Sequence, residues 1–190
     1  KTLSRVPLAP CLEDFQLHAH ELFLYAYKEA QKLLVKNNLI FDSTAKIILG
    51  GHSLGALLAL NCHKTKEFTH NTIYLGVGLG INPLVKVHLF DTDFYQKTLN
   101  IRKQLISPAL NPKDVFPWIK THKYNTDMQG QHIVLICGKD DVVVGKDGSA
   151  YLKSLLEKLN TVELIEPERL PHHEPQLAAG IIFNYLKQFL

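Results

Sequence analysis

The sequence predicts an α/β protein: a mostly parallel sheet flanked by helices, with an inserted helical cap. Three observations lead there. Short apolar runs at 46–50, 72–77, 132–137 and 161–165 have the length of buried strands. Segments of strong helix formers alternate with them, at 53–63, 149–159 and 175–189. Strands alternating with helices favour a parallel sheet covered on both faces.

A chain of 190 residues is one domain's length, and the whole of 1–190 reads as a single domain. At this size about 70% of the unfolded surface is buried on folding, enough for a real core. Apolar residues at 46% and charged residues at 21% are the proportions of an ordinary globular protein. The net charge is only +3, and the lysines are scattered with no run to follow a phosphate backbone. Nucleic acid is therefore not an expected partner. No apolar stretch approaches the length of a membrane span.

From the start of the chain, residues 5–9 (RVPLA) read as a short edge strand, because Pro7 cannot donate to a ladder. Between Asp14 and Lys36, Phe15, Leu22, Phe23, Ala26, Tyr27, Ala30, Leu33 and Leu34 recur at helical spacing. One long amphipathic helix follows from this, ended by Asn37-Asn38. From about Pro83 to Met128 the strand–helix rhythm breaks. Four prolines and the aromatics Phe90, Phe94, Tyr95, Phe116, Trp118 and Tyr124 make this a cap of short helices, since disordered segments are poor in aromatics.

Cys11, Cys62 and Cys137 are far apart, odd in number and without metal-type spacing, so they read as buried free thiols, which mildly favours a reducing compartment. His18 and His20 resemble a metal pair, but residues two apart on a helix do not share a face. No metal and no cofactor is expected. No signal peptide is visible in these residues and cytoplasmic is the default expectation, although Lys1 in place of Met allows for an upstream portion.

The turn Gly51-His52-Ser53-Leu54-Gly55 joins the strand at 46–50 to the helix at 53–63. A serine hydroxyl is a weak nucleophile until a base lies within hydrogen-bond reach and a third group orients that base. A sharp strand-to-helix turn exposes such a serine and leaves little room two residues to either side, where Gly51 and Gly55 stand. The Leu54 N–H then heads a helix, where an oxyanion is stabilised. His52, beside the serine, is expected to point elsewhere and to pack. An acid and a histidine follow in order at the ends of later strands: Asp140-Asp141 after 132–137, and His172-His173 after 161–165. Adjacent side chains in an extended segment point opposite ways, so one histidine of the pair can face Ser53.

From about residue 45 onward, ILGGHSLGALLAL, VLICGKDDVVV and LPHHEPQL resemble the α/β-hydrolase superfamily. That resemblance implies Ser53 as nucleophile, Asp141 as acid with Asp140 a turn residue, and His173 as base ahead of Glu174-Pro175. It also implies Leu54 as one oxyanion donor. The expected activity is hydrolysis of a small-molecule carboxylic ester or thioester with an apolar group, with a non-catalytic binding module as the alternative. The family's second oxyanion N–H comes from a loop, often carrying His-Gly, ahead of this region. Residues 1–45 offer no such loop, so the expectation is a longer polypeptide whose upstream part adds a strand beside the one leading to Ser53.

Overall fold

A computed structural model describes residues 12–40, 42, 44–81 and 127–189, with side chains from Ala19 onward. The edge strand expected at 5–9, Cys11 and nearly all of the expected cap at 83–128 lie outside the described residues.

Among the described residues, four strands form one parallel sheet in the order β1 (Ile47–His52), β2 (Thr72–Val77), β3 (His132–Ile136) and β4 (Thr161–Ile165). The helices are α1 (Leu12–Lys36), α2 (Leu54–Asn61), α3 (Gly148–Leu156) and α4 (Ala178–Leu186). All four expected strands are present. β1 runs two residues beyond the expected 50, because Gly51 and His52 stay in register with Gly76 and Val77.

The alternation of side chains along each strand divides the core in two. On one face Leu49, Tyr74, Ile133 and Leu135 pack with Ala56, Ala59 and Leu60 of α2 and Leu152 and Leu156 of α3. On the other, Ile73, Leu75, Val77, Val134 and Ile136 pack with Leu170 and with Ala178, Ile181, Ile182 and Tyr185 of α4. β2 is buried at every position, which is why it reads as an unbroken apolar run. Among the described residues β1 is an edge strand, and Ile48 on its α4-side face is 39% exposed.

The long first helix packs against α2 and the α2-side core through Phe23 and Tyr27, one turn apart, with Tyr27 edge-on to Phe68 at 5.6 Å. Leu22, Ala26 and Leu33 face outward, so the core-facing stripe is narrower than the sequence pattern suggests. The helix ends in a Schellman pair, Asn38 N–H to Val35 O at 3.1 Å and Leu39 N–H to Leu34 O at 2.9 Å. Asn38 takes the left-handed conformation this needs, φ 55°.

His63, in the short turn after α2, is close enough to His20 of α1 to disfavour charge on it. Burial first and then His63 hold His20 below its ordinary value of 6.5. Burial also lowers His63, opposed by its bond to the Leu60 carbonyl and by Asp127. Lowered folded values fix the sign of the pH effect. Above 6.5, the unperturbed value of His20, neither state binds protons there. As pH falls through it, the unfolded chain takes up protons that the folded chain refuses, so stability declines. His20→Leu should therefore flatten the fall in Tm between pH 7 and pH 5. Parallel Tm curves for wild type and variant would show that His20 carries none of the slope.

Candidate active site

The backbone ladder does not stop where the strands end. Ser53 N–H bonds Val77 O at 2.9 Å, Gly78 N–H bonds Ile136 O at 2.9 Å, and Cys137 N–H bonds Ile165 O at 3.0 Å. The residues just past β1, β2 and β3 are thus held as firmly as the strands, at the C-terminal edge where open α/β sheets place their sites.

Ser53 sits between β1 and α2 at φ 53°, ψ −119°. This left-handed region is strained for a side chain other than glycine's and costs about 1–3 kcal/mol. Gly51 makes the bend fit: a Cβ there would stand 2.4 Å from the Gly55 carbonyl carbon and 2.7 Å from Ala56 N. Gly55 behaves differently from the sequence expectation. No described atom lies within 4 Å of a Cβ built on it, so the close approach belongs to Gly51 alone. Gly51→Ala should cost about 3 kcal/mol, because backbone rather than a movable side chain is in the way. Gly55→Ala, inside a helix, should be neutral or stabilising by up to about 1 kcal/mol. Urea melts of the two variants check this, and the reverse ranking would refute the asymmetry.

Asp141 leaves the loop after β3 and is buried. Its Oδ1 accepts the Val143 N–H at 2.9 Å and the Val144 N–H at 3.0 Å, and its Oδ2 accepts from His172 Nδ1 at 2.9 Å. Burial pushes this carboxyl up. The His172 bond, the two backbone bonds and the His172 charge outweigh that and hold it below the ordinary carboxylate value. It is therefore ionised and can only accept, so His172 Nδ1 carries the hydrogen of this bond, and in the neutral imidazole Nε2 presents a lone pair. That lone pair faces Ser53 Oγ at 3.0 Å.

The structure corrects one expected residue. His172, not His173, stands between Ser53 and Asp141. His173 is exposed, its ring edge-on to that of His172 at 5.4 Å. The cause lies in the anchoring and the turn of this loop. Leu170 is buried in the α4-side core, and its N–H donates to Asp140 Oδ1 at 2.9 Å. Leu170 and His172 are buried and His173 is exposed. The two histidines are the central residues of a turn closed by the Glu174 N–H on the Pro171 carbonyl at 3.0 Å, so they leave the chain in different directions. Asp140, read as a turn residue, also ties the loop carrying the acid to the loop carrying the histidine.

Leu54 opens α2, and Leu57 N–H to Ser53 O at 3.1 Å is the helix's first backward bond. The N–H groups of Leu54, Gly55 and Ala56 therefore have no carbonyl within the helix to bond. His52 is closer to the chemistry than the sequence suggests: its ring centroid lies 4.8 Å from that of His172. Cys137 is buried with Sγ 3.8 Å from Asp141 Oδ2. Burial and the nearby carboxylate push its thiol up to about 12, so it stays protonated and is a packing group. Cys62, also buried and free, is pushed to about 12 by burial. No helix among the described residues is long and apolar enough to cross a membrane.

No known family profile matches the chain, and no curated protein matches it. Solved structures do resemble it. YbtT, a type II thioesterase from the yersiniabactin NRPS/PKS biosynthetic pathway, matches over 92% of this chain and 73% of its own, with TM-score 0.54 and 16% identity. Mouse α/β hydrolase domain-containing protein 10 covers 100% of this chain and 73% of its own, with TM-score 0.47 and 13% identity. An esterase from Pyrococcus furiosus covers 76% of this chain at TM-score 0.44 and 20% identity, and this chain spans 53% of that protein's length. The chain has an α/β-hydrolase fold.

Proposed function

We propose that this protein is a serine hydrolase that cleaves a small-molecule carboxylic ester or thioester through Ser53, His172 and Asp141. The observation that carries the reading is the single imidazole bonded to Asp141 at 2.9 Å and to Ser53 at 3.0 Å. As Ser53 Oγ attacks the carbonyl carbon, His172 Nε2 takes its proton, and Asp141 stabilises the imidazolium. The tetrahedral oxyanion meets the free N–H of Leu54 at the positive end of α2. His172 then gives the proton to the departing alcohol or thiol, leaving an acyl-serine. Water, deprotonated by the same imidazole, releases the acid and restores the hydroxyl.

The partner N–H of the oxyanion hole is expected from outside the described residues, along the edge of β1. The sequence aromatics between Phe90 and Tyr124 favour an apolar acyl or alcohol group. A fluorophosphonate probe tests the reading, because only an activated serine forms the adduct. Peptide mapping should place one adduct on Ser53. A folded protein that takes up no label would favour a binding module instead.

A further inference from the structure

His52 packs beside the proposed base. Its ring lies 4.8 Å from the His172 ring with the planes at 51°. Gly78, at φ 63°, passes beneath both rings. A Cβ there would stand 3.1 Å from His52 Nε2 and 3.1 Å from His172 Nδ1. The two imidazoles therefore converge over a position that must lack a side chain. Val77, Gly138, Leu170 and Pro175 close the space around them, which is too tight for a water molecule.

Within that dry space His52 Nε2 is buried without a hydrogen-bond partner among the described residues. Leaving a buried ring nitrogen unpaired is unfavourable, and the Nε2 takes no part in the chain from Asp141 to Ser53. Burial first, then the charge of His172, hold the His52 imidazole below the ordinary histidine value, so it packs as a neutral ring. The bonds at His172 Nδ1 and Nε2 align that ring along its length. They resist tilting poorly, and contacts against the sides of the ring must supply that restraint.

We infer that His52 is a positioning residue: packed ring against ring over Gly78, it holds the His172 imidazole in line between Asp141 and Ser53 and keeps water from the Asp141 bond. This deepens the hydrolase reading and rests on it for its catalytic consequence. A small residue at 52 would leave a gap beside His172, letting the ring tilt and its Nδ1–H exchange with solvent. An aromatic residue would keep the restraint.

The experiment uses the full chain with His52→Ala, His52→Leu and His52→Phe, each checked for a cooperative melt. The first readout needs no activity: the downfield proton resonance of the imidazole N–H bonded to a carboxylate. The second is kcat and KM on a p-nitrophenyl ester. In His52→Ala the resonance should broaden and kcat should fall about tenfold or more, since small misplacement of reacting groups is costly, with KM within about twofold. His52→Phe should restore the resonance and most of kcat. If the alanine variant does not fold, His52→Leu, which fills volume without a ring, replaces it. A sharp resonance and kcat within about twofold of wild type in the ring-less variant overturn the inference. If wild type turns over no ester yet loses its resonance in that variant, the hydrolase reading fails and the positioning role stands.

Discussion

His172→Ala is expected to lower kcat by about 10⁴- to 10⁶-fold, the range seen when the base of a serine triad is removed. His173→Ala should cost less than about tenfold. The contrast follows from geometry. His172 is the ring that touches both Ser53 Oγ and Asp141 Oδ2, and losing it removes the only described route for the serine proton. It also leaves the buried Asp141 carboxylate without its imidazole donor, although the Val143 and Val144 N–H groups still hold it in place. His173 lies in solvent and meets the site only through ring contact with His172. Turnover of a p-nitrophenyl ester by the two variants decides the matter. A larger loss in His173→Ala would mean that the loop after β4 rearranges before reaction.

Ser53→Ala should lose about 10⁶-fold in kcat and all fluorophosphonate labelling, because no other group can form the acyl intermediate. Its companion variant carries a second expectation, about stability. Ser53 holds φ 53° and ψ −119°, a conformation open to glycine and strained for alanine and serine alike. Relief of that strain favours Ser53→Gly, while the larger freedom of glycine in the unfolded chain offsets part of it. Ser53→Gly should be inactive yet about 1 kcal/mol more stable than Ser53→Ala in urea melts. Equal stabilities would show that the elbow stores no strain at this residue.

Much of the scaffold was legible because it obeys local rules. β2 and β4 have the bounds that their apolar runs suggest, 72–77 and 161–165, since both runs are bounded by polar or turn-forming residues. The elbow was legible because Ser53 needs a strand before it, a helix after it and Gly51 beneath it. The choice between His172 and His173 was not legible from their neighbours. It is made by the turn at 171–174 and by a bond between Asp140 and Leu170, thirty residues apart, which anchors the chain just before that turn. The closeness of His52 to His172 was missed for a similar reason. His52 is adjacent to Ser53 in sequence, but its ring meets a residue delivered from beyond β4. Gly55 was misread in the opposite direction, as a steric requirement where the described surroundings leave space.

The span between Ser53 and His172, 119 residues along the chain, has a kinetic consequence. Every strand pair in this sheet is parallel and joined through a crossover, so none can form as a local hairpin. Chains dominated by such distant pairings close large loops before they gain contacts, and they fold slowly. The hydrogen bond between the serine and the imidazole depends on β1 and on the loop beyond β4 both being docked, so it completes only as the last strand joins. During refolding, helical signal should return first and esterase activity last. On the proposed function, turnover would report the finished arrangement of the chain, which bulk secondary structure does not.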